Sequence, residues 1–175
     1  MAKGNRGGKR ASGGATINKN YKELDKTLIE RANQTSFFYK AGDSINREYQ
    51  SNVNKIQSMD FTDEEKTVAL NKLYNLTNDT LIAQTKSVSP MTSGRAGINP
   101  NQVKKTNDIL TSKRQILFNY MDDLERKSNA NVERKKQQKV FNALKDAMNN
   151  GLLKVTIDGK TYTRARKNSR TWNFD

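Results

Sequence analysis

Apolar residues recur at intervals of three or four positions through much of this chain, and that spacing favours packed helices. The first series starts at Tyr21 and holds twelve positions, eight of them apolar: Tyr21, Leu24, Leu28, Arg31, Thr35, Phe38, Gly42, Ile45, Tyr49, Asn52, Ile56 and Met59. Gly42-Asp43-Ser44 offers a helix-ending glycine followed by N-cap residues, so the series forms either one helix or two. Its continuous register favours one.

Two further helices have recognisable starts. Thr62-Asp63-Glu64-Glu65 places a hydroxyl at the cap and three acids at the positive end of the helix dipole, which predicts a helix to about Lys86. Asn99-Pro100 places a cap residue before a proline at the first helical position. The pattern then predicts a long helix from Pro100 toward Met148.

After Asn149-Asn150-Gly151 the period changes to the alternation typical of strands. Asp158-Gly159 lies between residues that favour strands, which predicts a hairpin with a two-residue type I′ turn. Trp172 and Phe174 follow it. They either fold back as core anchors or offer aromatic faces to unpaired bases, and the pattern allows both.

Only 33% of the residues are hydrophobic, below the roughly 45 to 50% of an average domain, so the core must be thin. The predicted fold is mainly α: an elongated helical bundle or coiled-coil-like helices with a small C-terminal β-hairpin. The predicted organisation is a disordered basic arm (1–16), an N-terminal helical region (17–88), a linker (89–99), and the long helix with a basic hairpin (100–175).

The chain contains no His and no Cys, which excludes disulfides, imidazole or thiolate metal sites and nucleophiles that depend on an imidazole base. The acids of 60–65 are explained by helix-start electrostatics. We therefore expect no catalytic residue, no metal, no cofactor and no enzymatic activity. No apolar run reaches 18 residues, so no membrane span is expected, and the N-terminus lacks an apolar stretch after its basic residues, so no secretory signal is expected.

The net charge is +14, and the cations gather in three segments. Cations at helical spacing repel one another unless an external anion offsets them, and a phosphate backbone is such an anion. A solvated basic helix and a terminus without function are the alternatives. The predicted nucleic-acid contacts are Lys3, Arg6, Lys9 and Arg10 in the arm; Arg126, Lys127, Arg134, Lys135, Lys136 and Lys139 in the long helix; and Lys160, Arg164, Arg166, Lys167, Arg170 and Trp172 in the hairpin region.

The opening Met1-Ala2-Lys3-Gly4-Asn5-Arg6-Gly7-Gly8-Lys9-Arg10, the Asn- and Lys-rich helices and the basic C-terminal hairpin resemble small accessory proteins of bacteriophages and mobile elements. That group includes virion assembly proteins and anti-CRISPR inhibitors of RNA-guided nucleases. The resemblance implies a location in the bacterial cytoplasm or within a phage particle. It transfers no functional residue.

Two functions follow as expectations. The first is a non-enzymatic protein that binds nucleic acid or a ribonucleoprotein, such as a factor that inhibits a host RNA-guided nuclease. The alternative is a phage structural or assembly protein that forms homo-oligomers through its helical seams. Neither requires a membrane.

Overall fold

The computed structural model describes residues 21–36, 39–87 and 99–174. These residues form four helices and a three-stranded antiparallel sheet of strand order β1-β2-β3. The elements are α1 (Lys26–Asn33), α2 (Ala41–Ser58), α3 (Asp63–Lys86), α4 (Pro100–Asn149), β1 (Lys154–Ile157), β2 (Lys160–Thr163) and β3 (Asn173–Phe174). The mainly α fold with a small C-terminal β element is thereby confirmed.

The described residues divide into two compact units. The N-terminal unit contains those of Met1–Gln57 and Asp63–Leu117, and the C-terminal unit contains those of Ser58–Thr62 and Phe118–Asp175. The predicted arm (1–16) and all of the predicted linker except Asn99 lie outside the described residues. The division of the chain at this linker therefore stays a prediction.

The first apolar series forms two helices, so the expectation of one continuous helix is wrong. Asp25 caps α1 by accepting a hydrogen bond from the Thr27 amide at 2.8 Å. Asn33 ends α1, and its side-chain oxygen accepts from the Asp43 amide at 2.8 Å while its amide nitrogen donates to the Asp43 carboxylate at 3.0 Å. These reciprocal bonds fix the start of α2 against the end of α1.

The sequence suggested that Gly42 ends a helix. In the structure it lies in the first turn of α2. A Cβ at this position would lie 2.0 Å from the carbonyl oxygen of Ile29, a backbone atom that no rotamer change can move. The two helices therefore approach at a distance that glycine permits and alanine does not.

The core of the N-terminal unit is a set of single stripes on its helices. The buried stripe of α3 includes Leu70, Leu73, Thr77 and Leu81. Val68 of the same helix lies off the stripe and is 68% exposed. The buried stripe of α2 consists of Ile45, Tyr49, Val53 and Ile56.

Tyr49 is the largest fully buried side chain among the residues that the structure describes, at 1% exposure. Its hydroxyl donates to the carbonyl oxygen of Lys22 at 2.5 Å, and its ring meets those of Tyr21 and Tyr74 edge-on at centroid distances of 6.1 and 6.4 Å. Burial raises the pKa of the Tyr49 phenol to about 12, and Tyr21 and Tyr74 add to the rise.

A buried amide links three parts of this unit. Gln84, 4% exposed, donates to the Thr35 hydroxyl at 2.9 Å and accepts from Arg114 of α4 at 3.1 Å. Because a buried amide without partners is unfavourable by about 1 to 3 kcal/mol, these bonds fix where α3 ends relative to α4 within the unit.

Both ends of α4 follow the sequence prediction. The Asn99 side chain accepts from the Asn101 amide at 3.0 Å, with Pro100 at the first helical position. At the other end Gly151 has φ +68°, and the amides of Gly151 and Leu152 donate to the carbonyls of Met148 and Ala147. This is a Schellman motif, which closes a helix through a glycine in the left-handed region.

The predicted hairpin is confirmed in register and turn type. Ile157 pairs with Lys160 across two residues, Asp158 and Gly159, whose φ values of 49° and 79° match a type I′ turn. β3 adds a third strand that the sequence pattern did not indicate, through the pairing of Tyr162 with Phe174.

Replacing Gly42 with Ala should destabilise the N-terminal unit. The helix propensity of alanine is worth at most about 1 kcal/mol, whereas overpacking against a backbone carbonyl costs about 3 kcal/mol, so we expect a net loss of about 2 kcal/mol in urea unfolding. Gly159→Ala is the comparison variant. Nothing lies within 4 Å of a Cβ at this position, so only the positive φ of Gly159 opposes the substitution. Equal stability of Gly42→Ala and wild type would contradict the close approach at Ile29.

Replacing Tyr49 with Phe should remove an alkaline dependence of stability. Because folding raises this pKa from 10.0 to about 12, the neutral phenol stabilises the fold fully below pH 10, and this contribution is lost as pH rises through about 12. Tyr49→Phe should cost about 1 kcal/mol at neutral pH and flatten the decline between those values. Unfolding free energies measured across that range test this. Tyr39→Phe, at a 54% exposed position, should retain the wild-type profile.

Candidate nucleic-acid interface

Residues 127–170 contain twelve Lys and Arg but only three Asp and Glu, which is nine of the fourteen net positive charges of the chain. All of these positions lie in the C-terminal unit and within the described residues. The four predicted contacts of the arm, Lys3, Arg6, Lys9 and Arg10, lie outside the described residues.

The cations of α4 after Arg126 lie on different sides of the helix. Lys127, Arg134 and Lys145 are 7 and 11 residues apart, close to whole helical turns, so they share one side. All three are exposed. Arg134 makes a hydrogen bond to the neutral Asn131 side chain at 3.1 Å, and its charge is therefore not cancelled.

Lys135, Lys136 and Lys139 lie on another side, around an open groove of about 480 Å³. Ser58, Met59 and Asp60 of the turn between α2 and α3 form one wall of this groove, and Val132 joins the lysines on the other. The predicted contacts of α4 therefore do not form a single face.

The turn with Asp60 is fastened to α4 by polar contacts. The Asp60 amide donates to the Ser128 hydroxyl at 2.8 Å, and its carbonyl accepts from the Asn131 side chain at 2.9 Å. Its carboxylate forms an ion pair with Lys135. The sequence suggested only a helix-start role for this acid, and no local pattern indicated a partner 75 residues away.

Two other predicted contacts are also paired with carboxylates. Lys139 lies 2.9 Å from Asp158 in the hairpin turn. Arg126 pairs with Asp122 and Asp123 in the preceding turn of α4. Pairs this exposed contribute at most about 1 kcal/mol, so they can be exchanged for a phosphate, but they lower the local positive potential.

The cations beyond the hairpin turn are mostly exposed and unpaired. Lys160, Arg166, Lys167 and Arg170 have high exposure, and no ion pair joins them to any residue that the structure describes. Lys154 of β1 is also exposed and has no ion pair among the described residues, and it was not among the predicted contacts.

Arg164 is a correction to the predicted set, because it is a buried structural residue. It is 5% exposed, and its Nε and Nη2 both donate to the Leu152 carbonyl, at 3.0 and 2.6 Å. Its Nη1 donates to the carbonyls of Lys167 and Ser169 at 3.0 and 3.2 Å. With its donors engaged, this guanidinium is not available to a phosphate in this fold.

Trp172 is half-buried and packs against the same guanidinium. The Arg164 guanidinium lies 5.0 Å from the centroid of the indole ring, a cation–π contact, and the indole nitrogen is buried without a hydrogen-bond partner among the described residues. The ring therefore supports Arg164, which favours the core-anchor alternative for this residue. Phe174, in contrast, is 67% exposed.

The alternation of β2 carries a signal for the position of Arg164. Lys160, Tyr162 and Arg164 are two residues apart and share one side, the side on which Tyr162 meets Val155 and on which Ile157 is buried. If the alternation is extended by one residue past the end of β2, it predicts that Arg164 lies on the buried side.

Comparisons with protein-family models, with curated proteins and with solved structures give no match to this chain. Among the helices of 21–36, 39–87 and 99–174, none is long and apolar enough to cross a membrane. The same residues contain no group of three or more Asp and Glu side chains that could hold a metal ion.

Replacing Arg164 with Ala should unfold the C-terminal sheet. Hydrogen bonds from a charged donor are worth about 1.5 to 3 kcal/mol each, so the loss should reach about 3 kcal/mol or more even without full additivity. Arg164→Lys should recover only part of it, because an ammonium group lacks the planar fork that spans several carbonyls. The fluorescence of Trp172, the single tryptophan, reports the transition.

Arg166→Ala is the matched control, since Arg166 is an exposed arginine two residues further on. It should change stability by no more than about 0.5 kcal/mol. If the two alanine variants unfolded alike, the assignment of Arg164 as a buried anchor would be wrong.

Proposed function

We propose that this chain is a non-enzymatic protein that binds the phosphate backbone of nucleic acid through residues 127–170. The observation that carries the proposal is the excess of twelve cations over three carboxylates in this segment, together with the way the fold uses them. Nine of the twelve are exposed and have no ion-pair partner in the described part of the chain: Lys127, Arg134, Lys136, Lys145, Lys154, Lys160, Arg166, Lys167 and Arg170.

This distribution has an energetic cost that a polyanion would relieve. An excess of one sign of charge is unfavourable through self-repulsion, and every residue of 132–139 is exposed, so little packing offsets that repulsion. Binding a phosphate backbone neutralises these charges and releases condensed counterions from the nucleic acid. Both effects support a nucleic-acid partner.

The chemistry of this surface fits free nucleic acid and a ribonucleoprotein equally well. The resemblance to accessory proteins of phages and mobile elements supports an RNA-guided nuclease as one such partner. In that case the cations would hold guide RNA or target DNA, since a protein of net charge +14 does not imitate DNA by its charge.

A second proposal, a structural or assembly protein, is supported by apolar residues left exposed on α4. Ile109 and Ile116 are both 45% exposed and seven residues apart, which is the spacing of a seam between two helices. Contact with a second copy of the chain would cover them. Light scattering separates the proposals, because a monomer at every concentration would remove the support for assembly.

The salt dependence of binding tests the first proposal. Fluorescence anisotropy of labelled duplex DNA and RNA, measured at several salt concentrations, should give a log-log slope of several units. Replacing Lys127, Arg134 and Lys145 together with Gln should reduce that slope by about 2 to 3 units, because each phosphate contact contributes about 0.9 for duplex DNA.

The matched control removes three exposed lysines of the N-terminal unit, Lys26, Lys104 and Lys105, by the same substitution. It makes an equal change in net charge and should leave most of the slope intact. Equal effects of the two triple variants would show that total charge governs binding and that residues 127–170 form no specific surface. Absence of binding by the wild type at low salt would refute the proposal.

A further inference from the structure

An aromatic pair is exposed on the sheet of the C-terminal unit. Tyr162 of β2 lies opposite Phe174 of β3, and their ring centroids are 5.9 Å apart at an interplanar angle of 45°. Tyr162 is half-buried, whereas Phe174 is 67% exposed. The ring of Tyr162 therefore supports that of Phe174, which faces solvent.

The position of Phe174 is fixed by the sheet. The register pairs both Thr163 with Asn173 and Tyr162 with Phe174, which holds the backbone of β3 along β2. An aromatic ring on a paired strand loses little further conformational entropy when a ligand covers it, because its backbone and its neighbouring ring are already in place. Such a ring is suited to binding.

The surroundings of the pair are cationic. Lys160 lies two residues before Tyr162 on the same side of β2, about 7 Å along the strand, and it has no ion pair among the described residues. The segment that connects β2 to β3 contributes Arg166, Lys167 and Arg170, all exposed. An apolar ring in such surroundings matches a ligand that has both a flat apolar face and a nearby negative charge.

Unpaired nucleotides have this combination, since each base presents a π-face and each linkage a phosphate. In a duplex the base faces are stacked on one another and are not accessible without unstacking, which costs a few kcal/mol. The aromatic pair therefore distinguishes between two partners that the cations alone would bind similarly.

We infer that Tyr162 and Phe174 form a stacking platform for an unpaired base, with Lys160 beside it for the adjoining phosphate, and that the chain prefers single-stranded nucleic acid to duplex. This inference rests on the proposed function and specifies its ligand. Trp172, a predicted contact, is not part of the platform, because its ring packs on Arg164.

The test compares three labelled or competing polyanions: a single-stranded thymidine oligonucleotide, a duplex of the same length, and inorganic polyphosphate, which has no bases. Phe174→Ala should lower affinity for the single strand by about 5- to 150-fold, the effect of losing one stacked base. Its affinity for duplex and polyphosphate should be unchanged. Phe174→Trp should restore single-strand binding, because an indole also offers a stacking face.

Phe118→Ala is the matched control. Phe118 is 68% exposed, nearly the same as Phe174, but it belongs to α4, 31 residues before the end of that helix and four residues before Asp122. It should bind all three polyanions as the wild type does. Unchanged Trp172 fluorescence in Phe174→Ala would show that the sheet and the Arg164 contact remain folded.

Other results would overturn the inference in distinguishable ways. If Phe174→Ala bound the single strand as tightly as the wild type, and the wild type still bound all polyanions, stacking would be wrong while the proposed function stood. If the wild type bound no polyanion, the proposed function would fail as well. If the wild type self-associated without nucleic acid and Phe174→Ala did not, the ring would be a contact between copies of this chain and not a base platform.

Discussion

The C-terminal unit depends on the hydrogen bonds that the Arg164 guanidinium donates to backbone carbonyls. The guanidinium joins the loop after α4, the segment after β2 and the ring of Trp172 by donating to three backbone carbonyls that lie up to 17 residues apart in the chain. In a chain with so few apolar residues, such polar centres do part of what an apolar core does in other domains. Gln84 has a comparable role in the N-terminal unit, where it connects Thr35 with Arg114.

The fold separates cations of the same type into two groups. Arg164, Lys135 and Lys139 are engaged by the protein itself, whereas neighbours only one or two residues away, such as Arg166 and Lys136, extend into solvent. Net charge alone does not distinguish the groups. What distinguishes them is the side of the helix or strand on which each residue lies, and whether a carbonyl or carboxylate from a distant segment reaches that side.

The sequence predicted the elements whose signals are local. The start of α3 at Asp63, both ends of α4 and the Asp158-Gly159 turn follow from caps, a proline and glycines within a few residues of one another. It did not predict β3, and it favoured one helix where α1 and α2 form two, because these features depend on Phe174 meeting Tyr162 and on Gly42 meeting Ile29. The candidate site was predicted only in part. The basic segment was evident from the sequence, whereas the division of its cations between helix sides and the burial of Arg164 depend on contacts between segments far apart in sequence.

The C-terminal unit is discontinuous in sequence, since it includes the turn Ser58–Thr62. The bond from Asp60 to Ser128 spans 68 residues, and the pair with Lys135 spans 75. Contacts of such high sequence separation form late, because a long loop must close before they contribute. During synthesis the turn must therefore wait, with its polar groups hydrated, until the middle of α4 has left the ribosome. Completion of this unit is thus coupled to translation of residues 127–170, whose cations outnumber their carboxylates by nine.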